Sequence, residues 1–252
     1  MTPSLHRAAD LVRTSRRGVA LTGAGISTPS GVPDFRSSSG LWTSVDPWQV
    51  ASQDAFRHHP DRFYDWVRPL AGAILQARPN PAHRSLATLE EAGHLKGVIT
   101  QNIDSLHRRA GSRVVCEIHG DLRRASCVRC FTRVEAEGPM QQFVASGDVP
   151  RCARCGSLLK PDVVLFGEAL PRDAVALAES LLAEADLVLI VGSSLEVFPA
   201  AGLPLAALEA GARLIILNQE ATYLDERAEV VLRGDAACLL PEMTAEVLDA
   251  RT

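Results

Sequence analysis

The sequence predicts an α/β chain built on a doubly wound parallel sheet, and three observations carry that prediction. Short, continuous apolar runs recur at residues 19–21, 98–99, 114–115, 187–191, 214–217 and 230–231. Helix-periodic stretches, such as 82–92 and 173–184, lie between several of them. Strands that are apolar on both faces need helices on both sides of their sheet, whereas a half-solvated sheet would alternate apolar with polar. The chain of 252 residues, 46% of them hydrophobic, is long enough to bury a sizeable core of this kind.

Read in order, Leu5, Ala8, Ala9 and Val12 mark one face of a polar amphipathic helix. Arg16-Arg17-Gly18 then turns into the first strand, and Thr22-Gly23-Ala24-Gly25-Ile26-Ser27-Thr28 follows it. Glycines after a strand let the backbone turn tightly and approach a pyrophosphate, which helix-compatible sequence beyond them would cap. Thr28 stands where a third glycine is usual, so a plain tight turn also fits. The next motif, Gly31-Val32-Pro33-Asp34-Phe35-Arg36, sets an aromatic beside a guanidinium. It suits a flat ring and an anion, or else a loop with Phe35 in the core and Arg36 paired to Asp34.

Polar groups gather where strands end. Thr100-Gln101-Asn102-Ile103-Asp104 follows the second strand, where an open parallel sheet presents ligand-binding groups; Asp104 is alternatively a helix cap. His119-Gly120 follows the third, and of the seven histidines His119 is the best placed as a general base. His107 reads as a packing residue, and Cys116 as buried. Further small or polar loops follow the later strands: Gly192-Ser193-Ser194-Leu195, Asn218 with Glu220, and Gly234-Asp235-Ala236. Together they suit an extended, multi-hydroxyl ligand such as a dinucleotide.

Two stretches break the alternation and are expected to form a smaller lobe with a cleft beside the sheet. Residues 37–80 carry all three tryptophans, with helical patches around 56–66. Residues 121–161 hold Cys127, Cys130, Cys152 and Cys155, two Cys-x-x-Cys pairs with 21 residues between them, close to zinc-ribbon spacing. Four thiolates close a tetrahedral Zn²⁺ to substrate, so one structural zinc is expected, with redox chemistry the alternative. The segment 160–168 leaves this module extended, Pro161 marking an edge or a loop.

A net charge of −4 argues against a global electrostatic hold on nucleic acid or an anionic membrane, so strong nucleic-acid binding is not expected, although arginines surround the cysteines. The longest apolar runs are too short to span a bilayer, no leader pattern opens the sequence, and the cysteine usage fits a reducing compartment. A cytoplasmic protein is expected. Oligomeric state is left open.

Gly23-Ala24-Gly25-Ile26-Ser27, Gly31 to Arg36, Thr100 to Asp104, His119-Gly120, the four cysteines, Phe166-Gly167-Glu168, Gly192 to Leu195 and Asn218 together resemble the sirtuin family of NAD-dependent protein deacylases, in the family's order and across nearly the whole chain. The resemblance implies a Rossmann-like NAD-binding domain from 1–36, 81–120 and 162–252, a helical insertion with a cofactor loop at 37–80 and a zinc-binding module at 121–161. It implies that Ala24, Thr28, Ser193, Ser194, Asn218, Asp235 and Ala236 contact the phosphates, riboses and adenine of NAD. Phe35 would cover the nicotinamide subsite with Arg36 beside it, Ile103 and Asp104 would bind the carboxamide, and Gln101 and Asn102 would hold the ribose and order a water. Val164, Phe166 and Gly167 would line an acetylated protein substrate. His119 would be the base that activates a ribose hydroxyl after the acyl oxygen has displaced nicotinamide.

The implied activity is removal of acetyl, or another short acyl group, from lysine, releasing nicotinamide and O-acetyl-ADP-ribose. Tyr64 is followed three residues on by Val67, so the Tyr-x-x-Arg pair of members that prefer acidic acyl chains is absent, Arg68 lying one position too far. The competing readings are a protein mono-ADP-ribosyltransferase and a non-catalytic, NAD-sensing nucleic-acid module.

Overall fold

A computed structural model describes residues 2–37 and 40–249. Its strands are β1 (Gly18–Thr22), β2 (Leu95–Thr100), β3 (Val115–Glu117), β4 (Gly120–Cys127), β5 (Arg133–Glu135), β6 (Leu159–Val163), β7 (Leu187–Val191), β8 (Arg213–Leu217) and β9 (Val230–Leu232). Its helices are α1 (Pro3–Thr14), α2 (Pro47–Val50), α3 (Gln53–His58), α4 (Pro60–Gln76), α5 (Pro81–Glu91), α6 (Leu106–Ala110), α7 (Glu137–Ser146), α8 (Arg172–Ala183), α9 (Leu203–Glu209) and α10 (Ala236–Asp249).

Six strands form one wholly parallel sheet in the order β3-β2-β1-β7-β8-β9. Counted along the sheet alone this is 3-2-1-4-5-6, the order of dinucleotide-binding folds, whose direction of winding reverses between β1 and β7. Both of those strands are buried at every position. Alternate side chains divide between the faces: Leu187, Leu189 and Val191 pack with α1, α5 and α10, while Val188 and Ile190 pack with α8 and α9. That two-sided burial is why these strands read as unbroken apolar runs.

A second sheet, β5-β4-β6, is antiparallel and belongs to the smaller lobe. Pro161 lies in β6, an edge strand, where its missing N–H costs no ladder bond. The lobe has one apolar core built from both insertions. Phe63, Val67, Leu70 and Ile74 line one face of α4 at helical spacing and meet Leu122, Cys127 and Leu159 of the cysteine module. Met140 and Phe143 of α7 complete this core. Helix α7 was not foreseen, because only two buried apolar residues mark its inner face.

Candidate active site

The glycine loop leaves β1 at the reversal point and meets the loop leaving β7. Gly23 N–H donates to Val191 O at 3.2 Å and Gly25 N–H to Gly192 O at 2.9 Å. The two backbones approach so closely that a Cβ on Gly192, whose φ is +60°, would lie 2.3 Å from Ile26 N and 2.6 Å from Gly25 C. Neither neighbour is a flexible side chain that can yield. Gly192→Ala is therefore expected to cost about 2–4 kcal/mol and to weaken dinucleotide binding. Chemical denaturation checks this, and an unchanged unfolding midpoint would contradict it.

No α-helix follows the glycine loop, contrary to the helix-compatible reading of its sequence. Two 3-10 turns, Ala24–Ile26 and Thr28–Ser30, stand there instead, the second with Pro29 in it. Anion contacts at this loop must come from backbone N–H groups and nearby side chains, not from a long helix dipole.

A cleft of about 330 Å³ lies between the lobes. Ala24, Thr28, Phe35 and Arg36 reach it from the loops after β1, and Gln101, Asn102 and Ile103 from the end of β2. His119, Val164, Phe166 and Gly167 enter beside β4 and β6, and Ser193, Ser194, Asn218 and Ala236 from the later strand ends. Two expected contacts do not line it. Asp104 is buried behind the wall, and Asp235 caps α10 by accepting from Ala237 N–H at 2.8 Å. Sequence reasoning missed the aromatic inner wall of Trp42, Phe63 and Trp66, in which the two indoles stack at 5.2 Å. Clustering of aromatic residues in one insertion was the available signal.

One hydrogen bond fixes the tautomer of His119. Its Nδ1 donates to Gln101 O at 3.0 Å, leaving Nε2 without that proton. Burial pulls its pKa below the ordinary value, against the bond to Gln101, which raises it. The next residue must be glycine: φ at Gly120 is +76°, and a Cβ would stand 1.9 Å from Asp162 O. That close approach carries β6 past the histidine, where Val164 N–H donates to His119 O at 2.9 Å.

Beneath the floor runs a buried polar network. Asn102 Nδ2 donates to Gly23 O and to Ser27 Oγ, both at 3.1 Å. Ser27 Oγ donates to Asp104 at 2.7 Å, and His83 Nε2 lies 3.3 Å from the same hydroxyl. Asp104 also accepts from Leu106 N–H at 2.8 Å, so it fixes the turn into α6, whose N-cap is Ser105, and is a network member at once. His107 packs against His83 and bonds Thr22 Oγ1 at 2.9 Å. Arg36 pairs with Glu196 at 3.4 Å and not with Asp34, which accepts from Ser37.

Burial depresses three histidines, His83 to about 4, His107 well below 6.5, and His119. A histidine whose folded pKa lies below its unfolded value contributes stability that is complete above about 6.5 and lost as pH falls toward the folded value. For His83 alone this is on the order of 3 kcal/mol. Asp104, whose pKa burial raises, acts in the opposite sense. We expect stability to fall markedly between pH 6.5 and 4; a constant denaturation midpoint over that interval would refute the assignment.

The four cysteines also converge. Their sulfurs lie within 4.8 Å of one another, with Cys127–Cys155 at 3.4 Å and Cys130–Cys152 at 3.7 Å. Zn–S bonds of about 2.3 Å in a tetrahedron require sulfurs about 3.8 Å apart, so the donor set fits one Zn²⁺ closed to substrate.

Comparison with known proteins decides the family. Residues 23–199 match the model of the Sir2 family. The chain is a Sir2-family protein. It is 45% identical over 247 residues to an NAD-dependent protein deacylase of Thermococcus kodakarensis, covering 97% of this chain and 96% of that one. An NAD-dependent protein deacetylase of Thermotoga maritima is 47% identical over 226 residues, covering 90% and 91%. Among solved structures, a Sir2 enzyme 42% identical superposes with a TM-score of 0.94 over the full length of both chains. A Sir2 chain solved with a p53 peptide and NAD⁺ is 43% identical with a TM-score of 0.82, covering 96% and 95%. The sirtuin resemblance of the sequence motifs and the parallel-sheet prediction are thus both borne out.

Proposed function

We infer that this Sir2 protein is an NAD-dependent protein-lysine deacetylase. The observation that carries the reading is that a half-buried histidine, its pKa lowered by desolvation, and the glycine loop at the sheet's reversal point open into one cleft. NAD supplies an electrophilic ribose carbon and nicotinamide as leaving group. Gly23–Gly25, Ser193 and Asn218, which line the cleft, would hold its diphosphate and ribose groups, and Gln101 donates to Ser193 Oγ at 2.9 Å. Val164, Phe166 and Gly167 line the cleft where the substrate peptide would lie, and His119 Nε2 accepts the ribose hydroxyl proton. The chain need supply no nucleophile of its own. Burial pushes the Cys116 thiol up to about 11, and it donates to Ala174 O.

The decisive experiment incubates the zinc-loaded protein with NAD and an acetyl-lysine peptide. Mass spectrometry should show the peptide losing acetyl as nicotinamide appears; a peptide gaining ADP-ribose would establish the transferase instead. Asn102→Ala removes the side chain tying the floor to Gly23 and Ser27, and should lower kcat about 100-fold with a smaller change in peptide KM. Unaltered kcat would remove Asn102 from the reaction.

Acyl range follows from the wall. Phe63, Trp66, Val67 and Leu165 make the inner surface apolar, favouring acetyl and other aliphatic groups. A Sir2 structure 38% identical to this chain holds a myristoylated histone peptide, which supports including longer chains. Arg68 is committed to Val144 O and Ala145 O, and Tyr64 to Leu159 O, so neither meets a carboxylate. Succinyl-lysine should be turned over at least about 100-fold more slowly than acetyl-lysine, since its charge would be buried unpaired. Comparable kcat/KM values would refute this.

No helix among the described residues is long and apolar enough to cross a membrane, and none of the six cysteines is in a disulfide. A reducing compartment, the cytoplasm, is the proposed location.

A further inference from the structure

The two cysteine turns are built alike. Each reads Cys-x-Arg-Cys followed by a residue in the left-handed region: Phe131 at φ 57° after Cys130, and Gly156 at φ 73° after Cys155. Phe131 N–H donates to Cys127 O at 3.1 Å, as Gly156 N–H does to Cys152 O at 2.8 Å. The second turn meets the backbone requirement with glycine, which has no Cβ to crowd. The first places a bulky aromatic there, in a conformation that is unfavourable for it. Burial does not compensate, because the Phe131 ring is 80% exposed, more than any other large apolar side chain among the described residues. Val128, on the same turn, is also exposed.

Charge follows the same duplication. Arg129 and Arg154 hold the third position of each turn, both exposed and without an ion pair among the described residues. Nearby arginines are engaged: Arg123 and Arg124 with Asp121, and Arg133 with Asp162. Phe131 and Val128 join none of the packed cores of the described residues, and the two turns that carry Arg129 and Arg154 meet at their sulfurs.

We propose that this tip docks an acidic segment bearing a large apolar side chain, carried by the same protein that presents the acyl-lysine. Carboxylates complement Arg129 and Arg154, and an apolar side chain covers Phe131 and Val128. A nucleic acid is disfavoured because exposed Glu135 stands in register with Arg124 and interrupts the positive charge, where a phosphodiester chain needs a continuous track. Strand β4 sets the reach: it starts beside His119 and ends at Cys127, and eight residues at about 3.3 Å put the tip roughly 20–25 Å from the base. The docked segment therefore lies about seven to ten residues from the acyl-lysine. The choice of partner rests on the deacetylase reading; the docking itself does not require turnover.

Two measurements on the zinc-loaded protein test this. The first follows fluorescence anisotropy of a ten-residue peptide of alternating glutamate and leucine. The second compares an acetyl-lysine peptide with the same peptide joined to that segment through an eight-residue glycine-serine spacer. Joining should lower KM about tenfold with kcat unchanged, and high salt should remove the advantage. Phe131→Gly relieves the left-handed strain, so it should fold at least as well as the parent. It and the double variant Arg129→Ser/Arg154→Ser should abolish anisotropy binding and return the joined peptide's KM to the plain value, leaving the plain peptide's kcat and KM unaltered. Equal KM for the two peptides, or an advantage that survives Phe131→Gly, would overturn the proposal. So would a ten-residue oligothymidylate that binds more tightly than the acidic peptide and is lost in the same variants. Failure to turn over the plain peptide would refute the deacetylase reading while the anisotropy arm still decides the docking site.

Discussion

Replacing His119 by alanine is expected to lower deacetylation by about three orders of magnitude, the middle of the range for loss of a positioned general base. The fold should survive. His119 makes one side-chain hydrogen bond, to Gln101 O, and its backbone bond from Val164 does not depend on the ring. In the proposed mechanism, cleavage of the nicotinamide bond precedes the step the base would serve, so exchange of labelled nicotinamide into NAD should persist in His119→Ala. Loss of exchange together with deacetylation would mean that His119 acts earlier. In the parent protein, kcat should decline as pH falls below the depressed pKa of His119, with the acid limb below about 6.5.

Loss of the metal should act by another route. Cys127 and Cys152 are buried members of the core that also holds Phe63 and Leu122, so Cys152→Ala removes a zinc ligand and leaves a gap among packed side chains. Structural zinc binding is coupled to folding, with apparent free energies of about 10–16 kcal/mol in zinc-finger peptides. We expect the small lobe to lose cooperative folding in this variant, with activity falling as a consequence while the parallel sheet keeps its own core. Near-ultraviolet circular dichroism, sensitive to the lobe's tryptophans, reads this change. An equally stable lobe in Cys152→Ala, or after chelation, would show that the cysteines are dispensable to the fold.

How legible these features were in the sequence depended on whether their cause was local. Strand β7 was readable because burial on both faces leaves no polar position from Leu187 to Val191. The cysteine pairs were readable because ligand geometry fixes their spacing. The network under the site was not: Ser27, His83 and Asp104 come from three separate elements, and only the folded chain brings their polar atoms within 3.3 Å. Asp235 is the complementary case, since an aspartate between a glycine and a helix reads as a cap or as a ligand equally well by sequence, and the fold displays the cap. The turn after the glycine loop was misread because Pro29 suits the first turn of a helix as well as a 3-10 turn.

The shared core of the smaller lobe limits how this enzyme can be recombined. Helix α4 and the cysteine module lie on opposite sides of β2 and β3 in the chain, yet Phe63 and Leu122, and Tyr64 and Phe143, sit in a single packed unit. A chimera exchanging only residues 121–161 for those of a relative would set foreign side chains against an unchanged α4, creating cavities or overlaps. The two insertions are one heritable module written in two places, and productive grafts must move them together.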